Sequence, residues 1–300
     1  MRITDRMISD DTMANVARNK ERLAELQAQA SSGKRIIDPH DDPAGAGQVL
    51  SLRTSLAANE TYLRNIHSSK EWLSATESAL QNVVTVLQRA LSNARQDASD
   101  NERATLASHV DGLIDDALTQ FNARYRDAYL FAGFQTNTQP FVTVGSPVTA
   151  VNMAGAPPAS NGVRTVEMER GQTVAVNVVN DAAGQFGAFA SNVFNALITL
   201  RDDLNANNVN AIGADIATLQ TALDGVTAVI GDIGARQQRL TDARTRLERV
   251  QLGLRDFLNR TEDANLAETI MHLSEQDTVY KASLRAAAQI GRTNLFDFLR

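Results

Sequence analysis

The chain has 300 residues, a net charge of −6, 43 % hydrophobic residues and no cysteine. The acidic balance, with no basic tract, excludes nucleic acid and anionic membrane as natural partners, and the missing thiols exclude disulfides, thiolate metal sites and a cysteine nucleophile together. Aromatic residues make up only 5 %, too few to anchor a large globular core, whereas Ala, Leu, Val and Arg supply bulk of the kind that bundles and coiled coils use.

The first residues, Met1 to Arg6, carry no apolar stretch with a cleavage site, so an ordinary secretory signal is not expected. A first helix is predicted from Asp5 to Ser31, with Met7, Met13, Val16, Leu23 and Leu26 as its apolar positions and Gly33 as its stop. Lys34 to Asp42 reads as a loop. Asp42-Pro43 then reads as an N-cap followed by proline at the first helical position, where its missing N–H costs nothing.

A long second helix follows, to about Asp97. Its stripe is Val49, Leu52, Leu56, Leu63, Ile66, Leu73, Leu80, Val84, Leu87, Leu91, Ala94 and Ala98, broken only at Asn59, Lys70 and Glu77. Ser99-Asp100-Asn101-Glu102 has the pattern of a capping box and opens a third helix, predicted to carry Leu106 through Phe121 and Tyr125 and to end at Gly133. From Phe134 the composition shifts to Gly, Pro, Thr, Val and Asn. Period-two alternation over Val163–Glu169 and Thr173–Val178, with Gly171 between, predicts a β-hairpin. So short an insert can bury little core of its own and is expected to be the least stable part.

Helical pattern resumes near Phe186, pauses at Asn205 to Asn208, and continues as a second long stripe: Val226, Val229, Ile233, Leu240, Ala243, Leu247, Val250, Leu254 and Phe257, with Arg236 its one polar break. Beyond Phe257 the seam changes register to Leu266, Ile270, Leu273, Tyr280, Leu284 and Ala287. The last six residues include Leu295, Phe296, Phe298 and Leu299. Stripes with a 3.5-residue repeat sustained this long need partner helices, and each is the other's natural partner.

The expected fold is mainly α: an elongated antiparallel helical bundle or coiled-coil rod built from the N- and C-terminal arms, with a small β-rich domain inserted in the middle. The expected domains are terminal helical segments 1–42 and 262–300, a helical rod of 43–133 and 186–261, and the insert 134–185. The terminal seams have nothing else in the chain to cover them, so both ends are expected to be loose in the monomer and to order on assembly. The candidate assembly surface is Met7, Val16, Leu23, Leu26, Leu266, Ile270, Leu273, Tyr280, Leu284, Leu295, Phe296, Phe298 and Leu299, with Gly33, Asp42, Pro43 and Gly133 as caps and hinges.

No catalytic, cofactor or metal site emerges. The histidines His40, His67, His109 and His272 lack ligand spacing. Gly33-Lys34 has Ala28 and Arg35 where a phosphate loop needs Gly and Ser or Thr, and Gly45-Ala46-Gly47 has Leu50 in place of a third glycine. Asp38, Asp41 and Asp42 are better read as capping and turn residues than as a cation site. Asp115-Asp116 and Asp202-Asp203 read as solvated helix faces. No Gly-x-Ser-x-Gly elbow is present, and no run approaches the roughly 20 apolar residues of a membrane span.

Three segments carry a resemblance. Gln29-Ala30-Ser31-Ser32-Gly33-Lys34-Arg35-Ile36 with Asp41-Asp42-Pro43-Ala44-Gly45 resembles the N-terminal signature of the flagellin superfamily. Tyr129-Leu130-Phe131-Ala132-Gly133-Phe134, followed by Thr136 to Phe141, and the ending Leu295 to Arg300 are similar to the hook-associated protein 3 branch of that superfamily, which flagellins do not usually match at the first of these. The resemblance covers both helical arms and fades within 140–185. It implies a non-enzymatic, extracellular building block of the bacterial flagellum, at the hook–filament junction, exported through the flagellar channel with an uncleaved N-terminal signal. The implied partners are copies of itself in a ring, the other hook–filament junction protein, flagellin, and a cytoplasmic export chaperone on the C-terminal helices. The resemblance also makes Gly33 and Asp42-Pro43 the hinge between inner-core and rod portions. A flagellin filament subunit is the alternative; a signalling coiled coil lacks its membrane span, and an enzyme hidden in the insert lacks a nucleophile context.

Overall fold

The computed structural model describes residues 5–96, 98–153, 162–178 and 185–298, with side chains at 5, 6, 8, 9, 153, 185–188 and 290–298 left aside. Within these, six helices and three small antiparallel strand pairs follow one another: α1 (Asp5–Ser32), α2 (Pro43–Ala94), α3 (Asp100–Phe121), β1 (Arg124–Tyr125), β2 (Ala128–Tyr129), β3 (Phe141–Val144), β4 (Ala150–Met153), β5 (Thr165–Glu169), β6 (Gln172–Ala175), α4 (Gln185–Asn205), α5 (Val209–Glu262) and α6 (Leu266–Phe298). The chain divides into two compact units, Met1–Ala58 with Arg249–Arg300, and Asn59–Glu248.

The second unit is an up-down-up-down bundle of α2, α3, α4 and α5. The two long stripes meet in it as predicted: Ile66, Leu73, Leu80 and Leu87 of α2 and Ile233, Leu240, Ala243 and Leu247 of α5 are buried in one core with α3 and α4. The polar breaks in the stripes are cross-links between these helices. Asn59 Nδ2 donates to the Leu247 carbonyl at 3.1 Å, Lys70 Nζ to Thr241 Oγ1 at 3.0 Å, and Gln237 Nε2 to Glu77 Oε2 at 2.9 Å. Each ties α2 to α5 at a stripe position where an apolar residue would only have packed, although the buried Asn59 Oδ1 keeps no partner among the described residues.

The Ser99 start of α3 is capped by Glu102, whose Oε2 accepts the Ser99 N–H at 2.7 Å. That bond and one from the Ser99 hydroxyl, the larger influence, hold the Glu102 carboxyl below its ordinary range. The third helix does not run to Gly133. It stops at Phe121, because the Asn122 side chain is captured by distant backbone: its Nδ2 donates to the Phe141 carbonyl and its Oδ1 accepts the Phe141 N–H, both at 3.0 Å. Tyr125 therefore lies on a strand, paired with Ala128 across a two-residue turn in which Arg126 and Asp127 both take positive φ, 47° and 63°. Gly133, at φ 60°, serves a turn further on rather than a helix end. The second helix likewise ends at Ala94, three residues short of Asp97.

The hairpin around Gly171 is present, with Thr165 opposite Ala175, Val166 opposite Val174, and a bulge between Glu167 and Glu169. A second antiparallel pair, β3 with β4, was not evident in the sequence. The insert does not form a core of its own: Phe141, Met168, Val174, Val176 and Val178 are buried in the helical core. Arg236, the polar break in the α5 stripe, donates to the Asn177 carbonyl at 2.9 Å, so the break anchors the hairpin. Arg164 stacks 4.5 Å over the Trp72 ring, Asn65 Nδ2 bonds the Glu167 carbonyl at 3.0 Å, and Arg246 pairs with Glu169 at 2.9 Å.

At the α4–α5 turn, Asn207 takes a positive φ of 54° and Asp215 is buried at 5 % exposure. Burial, then the neighbouring Asp203 carboxylate, push Asp215 from an ordinary 3.8 up to about 6. The folded chain therefore holds a proton that the unfolded chain releases, so stability falls as pH rises through roughly 4 to 6 and stays lowered above that. Asp215→Asn is expected to raise stability near neutral pH by on the order of 2 kcal/mol and to flatten this slope. Urea unfolding at about pH 4 and pH 7 checks it; equal losses in native and variant chains would refute it.

Candidate assembly surface

α1 ends where its sequence says it should. Gly33 has φ 71° and its N–H returns to the Gln29 carbonyl at 2.9 Å, closing the last turn with an orphan carbonyl satisfied. α2 starts at Pro43, and Asp42 caps it, its Oδ1 accepting the Gly45 N–H at 2.9 Å. That bond, ahead of the contribution of Arg35, keeps the Asp42 carboxyl below its ordinary range. Gly45 has no room for a side chain: a Cβ there would lie 2.5 Å from Asp42 Oδ2 and 2.6 Å from Ile36 Cδ1. In the intervening loop, Asp41 accepts the Ile37 and Asp38 N–H groups at 3.0 and 2.9 Å, the turn role expected of it.

From this corner α1 and α6 run antiparallel against each other. Backbone bonds near Lys34 and Asp263 fix one end of the pairing, and Gln276 Nε2 reaches the Asn19 carbonyl at 3.3 Å further along. The two helices leave between them a groove of about 420 Å³ lined by Arg22, Glu25, Leu26, His272, Gln276 and Val279 among others.

Pairing covers only part of the predicted seam. Val16, Leu23, Leu26, Leu273 and Tyr280 are half-buried, whereas Met7, Leu266, Ile270 and Leu284 are exposed, Ile270 at 57 %. Leu295, Phe296, Phe298 and Leu299 lie outside the described side chains. The exposed set also contains Met13, Met271 and Val279. Met271 and Val279 each adjoin a seam residue in sequence, which widens the apolar face beyond the single stripe read from the 3.5-residue repeat.

The same exposure continues up the first unit. Val250 and Phe257 of the α5 stripe are exposed, as are Ile37 and Leu50. The chemistry around these residues is solvated. His272 lies between Glu268 and Glu275 at 3.8 and 3.7 Å, and His40 faces one carboxylate; in the second unit His67 faces Glu71 at 3.3 Å. Among the described residues no group of three or more His, Asp or Glu could hold a metal ion, and no helix is long and apolar enough to cross a membrane.

Both arms have recognisable relatives. Residues 3–136 match the bacterial flagellin N-terminal helical region, and residues 216–299 match the bacterial flagellin C-terminal helical region. Over 317 aligned positions the chain is 26 % identical to flagellar hook-associated protein 3 of Escherichia coli K12, covering 99 % of each protein. It is 23 % identical to flagellar hook-associated protein 3 of Salmonella typhimurium LT2, covering all of both. Flagellin of Listeria monocytogenes matches at 26 % identity over 118 residues, 38 % of this chain and 41 % of that one. The fold is shared with a flagellar hook-associated protein from Vibrio parahaemolyticus, at TM-score 0.63 and 20 % identity over 74 % of this chain and all of that one. It is shared also with FlgL from Bacillus cereus, at TM-score 0.59 and 20 % identity over 70 % of this chain and 99 % of that one.

Proposed function

This chain belongs to the bacterial flagellin family, and from that membership we propose that it is a structural component of the flagellar axis, joining the hook to the filament. One observation carries the choice of position: relatives named hook-associated protein 3 match over 99–100 % of the chain, while filament proteins match over 86 % of it or less. Copies of the chain form a ring, with the other junction protein on the hook side and flagellin on the filament side. The work is non-covalent: the chain binds neighbours through apolar surface and catalyses nothing.

The terminal segments 1–42 and 262–300 are the inner-core portion, 43–133 and 186–261 the rod portion, and 134–185 the variable insert. The exposed faces of α1 and α6 are the assembly surface, and before export a cytoplasmic chaperone covers those of the C-terminal helices. The chain leaves through the flagellar channel without a cleaved signal and ends outside the cell.

Deleting the gene tests the position. Expected are intact hooks without filaments and flagellin shed into the medium; normal filaments would reject the junction role. Purified native chain alone is expected to stay monomeric when seeded, where a filament subunit would polymerise. Ile270→Asp tests the surface: because Ile270 is mostly exposed, folding stability should move by no more than about 0.5 kcal/mol, while filament attachment in the deletion strain should be lost. Full rescue by this variant would remove α6 from the contact.

A further inference from the structure

Where α5 gives way to α6, one carboxylate gathers two cations from separate segments. The Glu262 side chain is 6 % exposed, and its Oε1 lies 2.5 Å from Lys34 Nζ and 2.6 Å from Arg53 Nη2. Lys34 stands just past α1 and Arg53 within α2, so the three groups come from three stretches of chain. Burial pushes the Glu262 carboxyl up, but Lys34 and Arg53 outweigh it and hold it below the ordinary range.

The backbone around Glu262 is tied to the same loop. Its carbonyl accepts the Arg35 N–H at 2.7 Å, the Ala264 N–H donates to the Gly33 carbonyl at 2.9 Å, and Arg35 Nη2 reaches the Thr261 carbonyl at 2.9 Å. Arg35 also pairs with Asp42, the α2 cap, at 3.2 Å. Apolar packing contributes little beyond this point: among described side chains α1 has none fully buried, and α6 has only Thr269.

We propose that Glu262 is an ionic latch, a positioning residue that sets the direction in which the α1–α6 pair leaves this corner and thereby presents its apolar face to a second copy of the chain. The proposal deepens the assembly reading and rests on it for the second copy. A buried carboxylate holding two half-exposed cations fixes geometry more sharply than it adds stability. The loop it clamps contains two tryptic bonds, after Lys34 and Arg35, which report its opening directly.

The test uses purified full-length chain. Glu262→Gln keeps the shape and removes the charge; trypsin is expected to cut after Lys34 and Arg35 about tenfold faster than in the native chain. The unfolding midpoint followed by Trp72, the single tryptophan, should not move. Raising salt from about 0.1 M to about 1 M, which shortens the screening length from about 10 Å to about 3 Å, should speed these cuts in the native chain and not in Glu262→Gln. Filament attachment in the deletion strain should be lost. Native cutting rates in Glu262→Gln, a shifted Trp72 midpoint, or fast cutting with normal filaments would each overturn the latch. Failure of the native chain itself to restore filaments would instead defeat the junction reading, and the cutting assay would then decide the latch alone.

Discussion

Phe121→Ala is expected to lower the stability of the bundle by about 3–5 kcal/mol, a large share of the 5–15 kcal/mol that holds a typical domain together. The ring is fully buried at the C-terminal end of α3. It packs against four others, with centroids 5.2 Å from Phe194, 5.4 Å from Phe141, 5.9 Å from Phe131 and 6.3 Å from Phe189. Those rings come from α4, from β3 and from the loop before it, so one truncation opens a void shared by helix and insert. Surrounding rings held by their own backbones cannot collapse far into it. Phe121→Leu keeps much of the volume and should cost less than half as much. Urea unfolding followed by Trp72 fluorescence measures both. A loss below about 1 kcal/mol for alanine would show that the cluster is not close-packed.

Arg201→Ala is expected to cost about 2–4 kcal/mol. The guanidinium side chain is 3 % exposed, and all three of its nitrogens donate. Nη1 donates to Asp111 Oδ1 at 2.9 Å and to the Val148 carbonyl at 2.7 Å; Nε and Nη2 donate to Asp202 Oδ1 at 2.8 and 2.6 Å. One side chain thus ties α3, α4 and the β3–β4 loop. Both carboxylates are substantially exposed and water can serve them after truncation, which keeps the cost below that of an isolated buried charge. The Val148 carbonyl and the vacated volume account for most of the loss. Arg201→Lys should recover less than half of it, because an ammonium cannot present three divergent donors from one plane. Full recovery by lysine would reduce the site to charge alone.

The long helices were legible because burial against a partner imposes a repeat on the residues themselves. The starts and stops at Gly33, Asp42-Pro43 and Ser99–Glu102 were legible because capping is a local reaction between a side chain and backbone within four residues. What failed was non-local. Leu118, Phe121 and Tyr125 keep helical spacing, yet the helix stops at Phe121 because Asn122 bonds Phe141, 19 residues on. Asn59, Lys70, Glu77 and Arg236 looked like defects in two stripes. Their partners, Leu247, Thr241, Gln237 and the Asn177 carbonyl, are far away in sequence, so their meaning appears only in the pairing.

The candidate surface divides in the same way. The apolar faces of α1 and α6 follow from helical periodicity, and Met7, Ile270 and Leu284 were visible as a seam without the structure. Met271 and Val279 were not, since exposure depends on how far a neighbouring helix reaches around the cylinder. Nor did anything mark Glu262 as unusual: a glutamate near a helix end is commonplace until Lys34 and Arg53 are brought to its carboxylate.

Sequence alone therefore determined the helical class, the two arms that pair, the caps and the greasy extremities, because each depends on spacing between near neighbours or on composition. Tertiary structure decided where α3 ends, that the insert shares the helical core through Phe141, Met168 and Val174, and which polar groups are clamps. Those outcomes depend on hydrogen bonds and packing between residues tens to hundreds of positions apart, and the entropy of bringing them together is recovered only when the whole bundle closes.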